Sequence, residues 1–278
     1  MNRIDALQTI CDQARQGELI FPTGLDVSLK ILRALDDPDC HIDLAAQLIL
    51  GEPLLSARIV AVANSAVYNR SGQIITDLRS AISRIGLHTT RALTATIATR
   101  QMAGTPTFPA LRVAAARLWE HTAHVAALAH VIARRVTHQD PETALFAGIV
   151  HEIGGFYLIS RAKEFPGLLE GDPADWAEHA EAEIGRAILT RLAIPEPVVA
   201  AIESMWEGYL ALPPVSLGDT LLLANDLAPI SSPLYETSGI RNPGEAPIID
   251  SVIDQQTLSG ILNESAAEVE SLTAALQA

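Results

Sequence analysis

Between Pro109 and the Asp140-Pro141 pair, positions 110–137 contain neither glycine nor proline, are rich in alanine, and carry apolar residues at helical spacing. Alanine loses the least freedom on entering a helix, and nothing in this run favours a strand, so it predicts one long helix. A rod of that length buries its apolar surface only if other elements pack along it. Those elements also read as helices. Aromatic residues are 4% of the chain, and no segment alternates apolar and polar residues as a half-buried strand would. The fold class expected is all-α.

Punctuation divides the rest. Val27, Ile31, Leu32 and Leu35 share one helical face and end at Asp36-Asp37-Pro38; a second unit over 41–50 ends at Gly51; Pro53 opens a third with Leu54, Leu55, Ile59, Val60 and Val62. Positions 68–73 read as a loop. Thr76 or Asp77 then caps a helix that Gly86 closes, and 88–102 forms another. The breaker cluster Gly104-Thr105-Pro106-Thr107-Phe108-Pro109 marks the boundary between two packed helical lobes, 1–105 and 106–229. Further helices are expected over 173–192, 195–206 and 214–228, the last starting at Ser216. Residues 230–278 read as an irregular crossover followed by an amphipathic helix over 262–277.

Charge and cysteine usage narrow the function. A net charge of -14 with a pI near 4.9 repels nucleic-acid phosphates and anionic membranes, so neither is an expected partner. Cys11 and Cys40 lack metal-knuckle or disulfide-framework spacing and read as free thiols in a reducing cytosol. The N-terminus lacks an apolar signal core, and no run approaches the roughly 18 apolar residues of a membrane span. A soluble cytoplasmic protein is the expectation.

Several blocks, in order, resemble the HDOD family, a non-catalytic relative of the HD phosphohydrolases. Ala61-Val62-Ala63-Asn64-Ser65-Ala66-Val67-Tyr68 is similar to that family's L-A-N-S-A-x-Y signature. Ile74, Leu78, Ala81, Ile82, Ile85 and Gly86 match its I-x-S-L-x-x-A-I-x-x-L-G pattern. Leu118-Trp119-Glu120-His121, followed by Ala147-Gly148-Ile149-Val150-His151-Glu152-Ile153-Gly154, resembles L-W-x-H and A-G-L-L-H-D-I-G. Phe21-Pro22 and the segment ending at Pro38 fit the family's entry. The resemblance spans 19–228 and implies a C-terminal lobe like that of the HD superfamily and a regulatory role in bacterial signal transduction.

HD relatives bind one or two divalent metals through a His, a His-Asp pair and a later Asp, and use them to activate water. By resemblance, His121 and His151 stand at the histidine positions and Glu152 replaces the first Asp. In Leu223-Ala224-Asn225-Asp226-Leu227-Ala228, Asn225 takes the late ligand position, and Asp226 lies about 100° around the helix. The element Glu181-Ala182-Glu183-Ile184-Gly185 and the pair Met205-Trp206 stand where dinuclear relatives carry further histidines. The site therefore reads as vestigial, with no catalytic residue, bound metal or cofactor expected.

The local readings are structural. His121 and His151 read as buried or half-buried and hydrogen-bonded, Glu152 as a cap or salt-bridge partner, and His124, on the same helix face as His121, as surface or packing. Asn64 and Ser65 fix the loop that follows them, and Tyr68, Gly86, Trp119 and Gly154 serve the fold. Trp119, Trp176 and Trp206 read as core, and Arg84, Arg91 and Arg100 as a solvated basic face. A protein-binding regulatory module is the leading expectation. A weak metal-dependent phosphohydrolase using His121, His151, Glu152 and Asp226 is the second, and a homodimer through the last helix the third.

Overall fold

The computed structural model describes residues 2–21, 25–104, 106, 108–172, 174–192, 194–235 and 255–277, and among them there is no strand. The helices are α1 (Arg3–Arg15), α2 (Leu25–Leu35), α3 (Ile42–Ile49), α4 (Pro53–Ala63), α5 (Leu78–Met102), α6 (Pro109–Ile132), α7 (Pro141–Val150), α8 (Ile153–Arg161), α9 (Ala174–His179), α10 (Glu181–Arg191), α11 (Glu196–Glu207), α12 (Leu217–Leu227) and α13 (Gln255–Gln277). The entry residues Pro22, Thr23 and Gly24, the boundary residues Thr105 and Thr107, Pro173, and most of the crossover (236–254) lie outside the described residues.

Local chemistry sets most helix ends. Asp77, Asp140 and Ser216 are N-caps whose side chains accept from the backbone N–H three residues on, and Pro53, Pro109 and Pro141 open α4, α6 and α7. Gly86 interrupts α5 at φ 82°, a left-handed conformation that favours glycine, so the two helices expected on either side of it meet at a kink. The long helix expected over 110–137 is α6 extended by a single π-turn, Ala133–Thr137, which His138 closes at φ 53°.

Two expectations need correction, and one helix lies outside them. The single helix over 173–192 is broken at Ala180 (φ -142°, ψ -31°) into α9 and α10. Helix α1, capped by a box between Asn2 and Asp5, is the helix that the sequence pattern does not announce. The arginines of α5 do not form a solvated face. Arg91 is 6% exposed and bonds both oxygens of Asp36, Arg84 donates to the carbonyls of Ala63 and Gln73, and Arg100 lies over Trp119. Helix α5 is wrapped by α2, α3, α4 and α7, so its polar face has protein neighbours to satisfy.

Helix α6 is the spine, in contact with α7, α8, α12 and α13. Its crossing with α7 is very close: a Cβ on Gly148 would lie 2.6 Å from Cα of Ala126. One hydrophobic core runs from Ala6 in α1 to Leu276 in α13, without a gap at the 104–109 boundary. Both chain ends stitch the halves together. Helix α1 packs on α9 and α10, with Arg3 3.0 Å from Asp175, while α13 packs on α6 and α4. Among the described residues one helical stretch, Pro141–Arg161, is long and apolar enough to cross a membrane, and 89% of that window is buried in the core.

Candidate functional site: a buried histidine pair beside two carboxyl groups

Three elements converge on one enclosed point. Helix α6 carries His121, α7 ends at His151, and Glu152, at the joint between α7 and α8, is the N-cap of α8. One ligand atom from each of His121, His151 and Glu152 lies within 4.8 Å of the others, and the residues are 2%, 3% and 4% exposed. Sequence neighbours 151 and 152 thus face the same point as a residue thirty positions earlier, because the chain turns at the α7–α8 joint.

Hydrogen bonds orient both rings. His151 Nδ1 is 2.8 Å from the carbonyl of Gly148 and His121 Nδ1 2.8 Å from that of Ile230. A carbonyl oxygen only accepts, so each Nδ1 carries its proton and each Nε2 presents a lone pair. The two Nε2 atoms are 3.4 Å apart. Asn225, at the late-acid position, sets an amide rather than a carboxylate beside the His121 ring. Asp226 is half-buried on the next face of α12 and does not join the group.

Burial keeps these groups uncharged. It pushes His121 down to about 4, and it pushes His151, with His121 beside it, down to about 3. Glu152 is pushed up to about 8, first by burial and then by the nearby Glu181 carboxyl, against a hydrogen bond to Ser232 that favours the ionised form. Near neutral pH His121 and Glu152, 3.9 Å apart, are therefore a contact between neutral groups and not an ion pair. Glu181 is itself pushed up to about 7 by burial, opposed by its bond from the Tyr235 hydroxyl.

Residues 229–235 form a strap over this cluster. Ile230 accepts from His121, Ser232 bonds Glu152, the Leu234 side chain lies so near Gly155 that a Cβ there would meet it at 2.5 Å, and Tyr235 holds Glu181. Glu181, which by sequence only stands where dinuclear relatives carry a ligand, lies beside Glu152. Ser232 and Tyr235 had not been foreseen, because nothing in a proline-containing irregular stretch announces which helix ends it crosses. Met205 and Trp206 are half-buried, and the Trp206 ring fills the space where a Cβ on Gly185 would stand, at 2.6 Å.

The residues present fit one divalent ion. Two neutral imidazoles with their outer nitrogens fixed by carbonyls, plus one carboxyl oxygen, form a borderline-metal donor set. His121, His151 and Glu152 would hold the ion, which would supply Lewis-acid chemistry where substrate could reach it.

The other family-motif residues serve local packing, and Tyr68 also reaches across the 104–109 boundary to Glu142. Asn64 bridges the backbone of Ile75 in both directions, donating to its carbonyl at 2.7 Å and accepting from its N–H at 2.8 Å. The Ser65 side chain does not help to fix that loop as expected: it is buried, and its hydroxyl makes no hydrogen bond among the described residues. Tyr68 donates to Glu142 on α7, which also accepts from Thr89 on α5 at 2.5 Å. Gly154 lies 3.5 Å from Gly185 and Trp176, as measured from where its Cβ would be, so α8 and α10 approach closely there. His124 donates to the carbonyl of Glu120 within its own helix, apart from the cluster. An open cleft of about 490 Å³, lined by Tyr68, Arg70, His130, Arg134 and Glu142, lies at the seam between the lobes; none of the three clustered residues lines it.

The HDOD domain family profile matches residues 21–207. No curated protein matches the sequence at a significant level. Among solved structures, a protein from Shewanella amazonensis provisionally called a metal-dependent phosphohydrolase is 23% identical with a TM-score of 0.73, over 99% of this chain and 100% of that one. An HDOD domain protein of unknown function from Geobacter sulfurreducens is 21% identical with a TM-score of 0.64, over 98% of each chain. One from Marinobacter aquaeolei, provisionally called a signal transduction protein, is 16% identical with a TM-score of 0.65, over 99% of this chain and 66% of that one. At these identities the likeness is one of fold.

Proposed function

Since the chain belongs to the HDOD domain family, we propose that it is a non-catalytic regulatory module that relays a signal by binding a partner protein or a small ligand. In this reading it works in the bacterial cytoplasm, within signal transduction, and acts on a separate regulator. The observation that carries the reading is enclosure. His121, His151 and Glu152 are at most 4% exposed beneath the 229–235 strap, whereas hydrolysis needs an open coordination position that substrate can reach. The Marinobacter protein's provisional name points the same way.

One observation favours a second reading, a weak metal-dependent phosphohydrolase: the two histidines and Glu152 remain close enough to share an ion. The third, self-association through α13, is less favoured, because Leu272, Ala275 and Leu276 of that helix are buried within the chain itself. The test supplies purified protein with Mn²⁺, Zn²⁺ or Mg²⁺ and offers it phosphomonoesters and cyclic dinucleotides. No turnover above that of His151→Ala is expected; hydrolysis that disappears in this variant would overturn the non-catalytic reading. The positive counterpart is a regulator recovered at fixed stoichiometry and lost on mutation of a single surface patch.

A further inference from the structure

We infer that the seam between α4, α5 and α6 contains an oxyanion-binding niche built by Arg58, Arg100 and Trp119, which takes the phosphate or carboxylate group of a small ligand. Arg58 on α4 is 1% exposed, and its Nε, Nη1 and Nη2 are all buried without a hydrogen-bond partner among the described residues. Nη1 of the half-buried Arg100 and Nε1 of Trp119 are likewise buried and without a partner among the described residues. Both cations lie against one indole: Cζ of Arg58 is 5.8 Å and Cζ of Arg100 5.2 Å from the centre of the Trp119 ring.

This departs from how the same fold treats its other buried arginines. Arg91 is paired with both oxygens of Asp36, and Arg161, 1% exposed, donates to Tyr157, Gln13 and Glu164. Among the described residues, Arg58 has the Trp119 ring and no hydrogen-bond acceptor to meet its charge. A cation–π contact recovers much less than burial of an unpaired ion loses, and a second guanidinium nearby makes the deficit larger. Burial, then the proximity of Arg100, pulls Arg58 down to about 10, which accords with that deficit. What the site lacks is an acceptor. Planar guanidinium forks and an indole N–H are donors only, and they match the oxygens of a phosphate or carboxylate. The half-exposed Arg100 marks the way in.

The niche goes beyond the regulatory reading and does not depend on it. Trp119 precedes His121 by less than one turn of α6, so an occupant would bear on the helix that carries His121, one member of the histidine pair. The test uses the full chain in thermal unfolding and calorimetric titration, with sodium phosphate, sodium succinate and sodium chloride at matched ionic strength. Saturable stabilisation of the wild type by phosphate or by succinate, but not by chloride, is expected; the arm that responds identifies the group. Arg100→Met should weaken binding about tenfold or more. Arg58→Met should abolish the response while melting in chloride at or above the wild-type temperature, because it removes an unpaired buried charge. No salt-specific shift in the wild type, or equal shifts in wild type and Arg100→Met, would overturn the proposal. The Arg100 arm decides the matter even if Arg58→Met fails to fold.

Discussion

His121 and His151 face each other through their Nε2 atoms at 3.4 Å, while the opposite nitrogen of each ring is committed to a backbone carbonyl. Two lone pairs at that distance repel unless a proton or a cation lies between them. Burial resists the proton, since both rings are held well below their ordinary pKa.

A cation is therefore the better bridge. Protein stripped with a chelator should take up about one Zn²⁺ per chain, and binding should tighten between pH 6.5 and 8.5 as Glu152 loses its proton. Calorimetry at the two pH values and elemental analysis check this. Unchanged affinity and stoichiometry in His151→Ala would rule out the histidine pair as the site.

Without metal, the same groups set a pH profile. Glu152 and Glu181 have folded pKa values of about 8 and 7, above the ordinary 4.5, so the folded state binds more protons than the unfolded one and stability falls as pH rises through that window. The histidines lie below their ordinary 6.5, so the unfolded state binds more protons and stability falls on acidification from 6.5 toward 3. Between 4.5 and 6.5 the two effects oppose each other. Denaturant melts should show stability dropping by about 2 kcal/mol from pH 6.5 to 8 through Glu152 alone, and Glu152→Gln should flatten that limb.

Glu142 ties the two lobes. Its carboxylate accepts from Tyr68 and Thr89, and Nε2 of His130 is 3.5 Å away. Burial raises its pKa, but the hydrogen bonds win and hold it below the usual carboxylate range. Tyr68→Phe should cost about 2 kcal/mol, and a cycle with Thr89→Val should be non-additive, because both donors serve one acceptor. Strict additivity in urea melts would contradict a shared hub.

Two helical glycines should respond with opposite sign. Gly148→Ala drives a methyl into the backbone of Ala126 and should destabilise by about 3 kcal/mol, whereas Gly260→Ala in α13 meets nothing within 4 Å and should stabilise by about 0.5 kcal/mol. Thermal melts of the two variants, run side by side, decide whether α6 and α7 are as close as described.

Much of the architecture follows from local chemistry. Asp77, Asp140 and Ser216 cap helices wherever they occur before an apolar periodic run, and an alanine-rich stretch without glycine or proline has no good alternative to α6. The order His121, His151, Glu152 and the exchange of the late acid for Asn225 were equally legible, because residue identity sets which donors exist. The break at Ala180 was not, since alanine carries no signal for a kink that packing imposes.

Distance along the chain hid the rest. That Glu181 stands beside Glu152, that residues 229–235 close over both, and that Arg58 ends without an acceptor depend on how helices far apart in sequence pack. Helical periodicity tells which face is buried but not which neighbour covers it, and a buried charge is defined by that neighbour. The sequence alone thus determined the helices and the chemical inventory of the site. Tertiary packing decided which of those groups are neutral, which are paired and which still lack a partner.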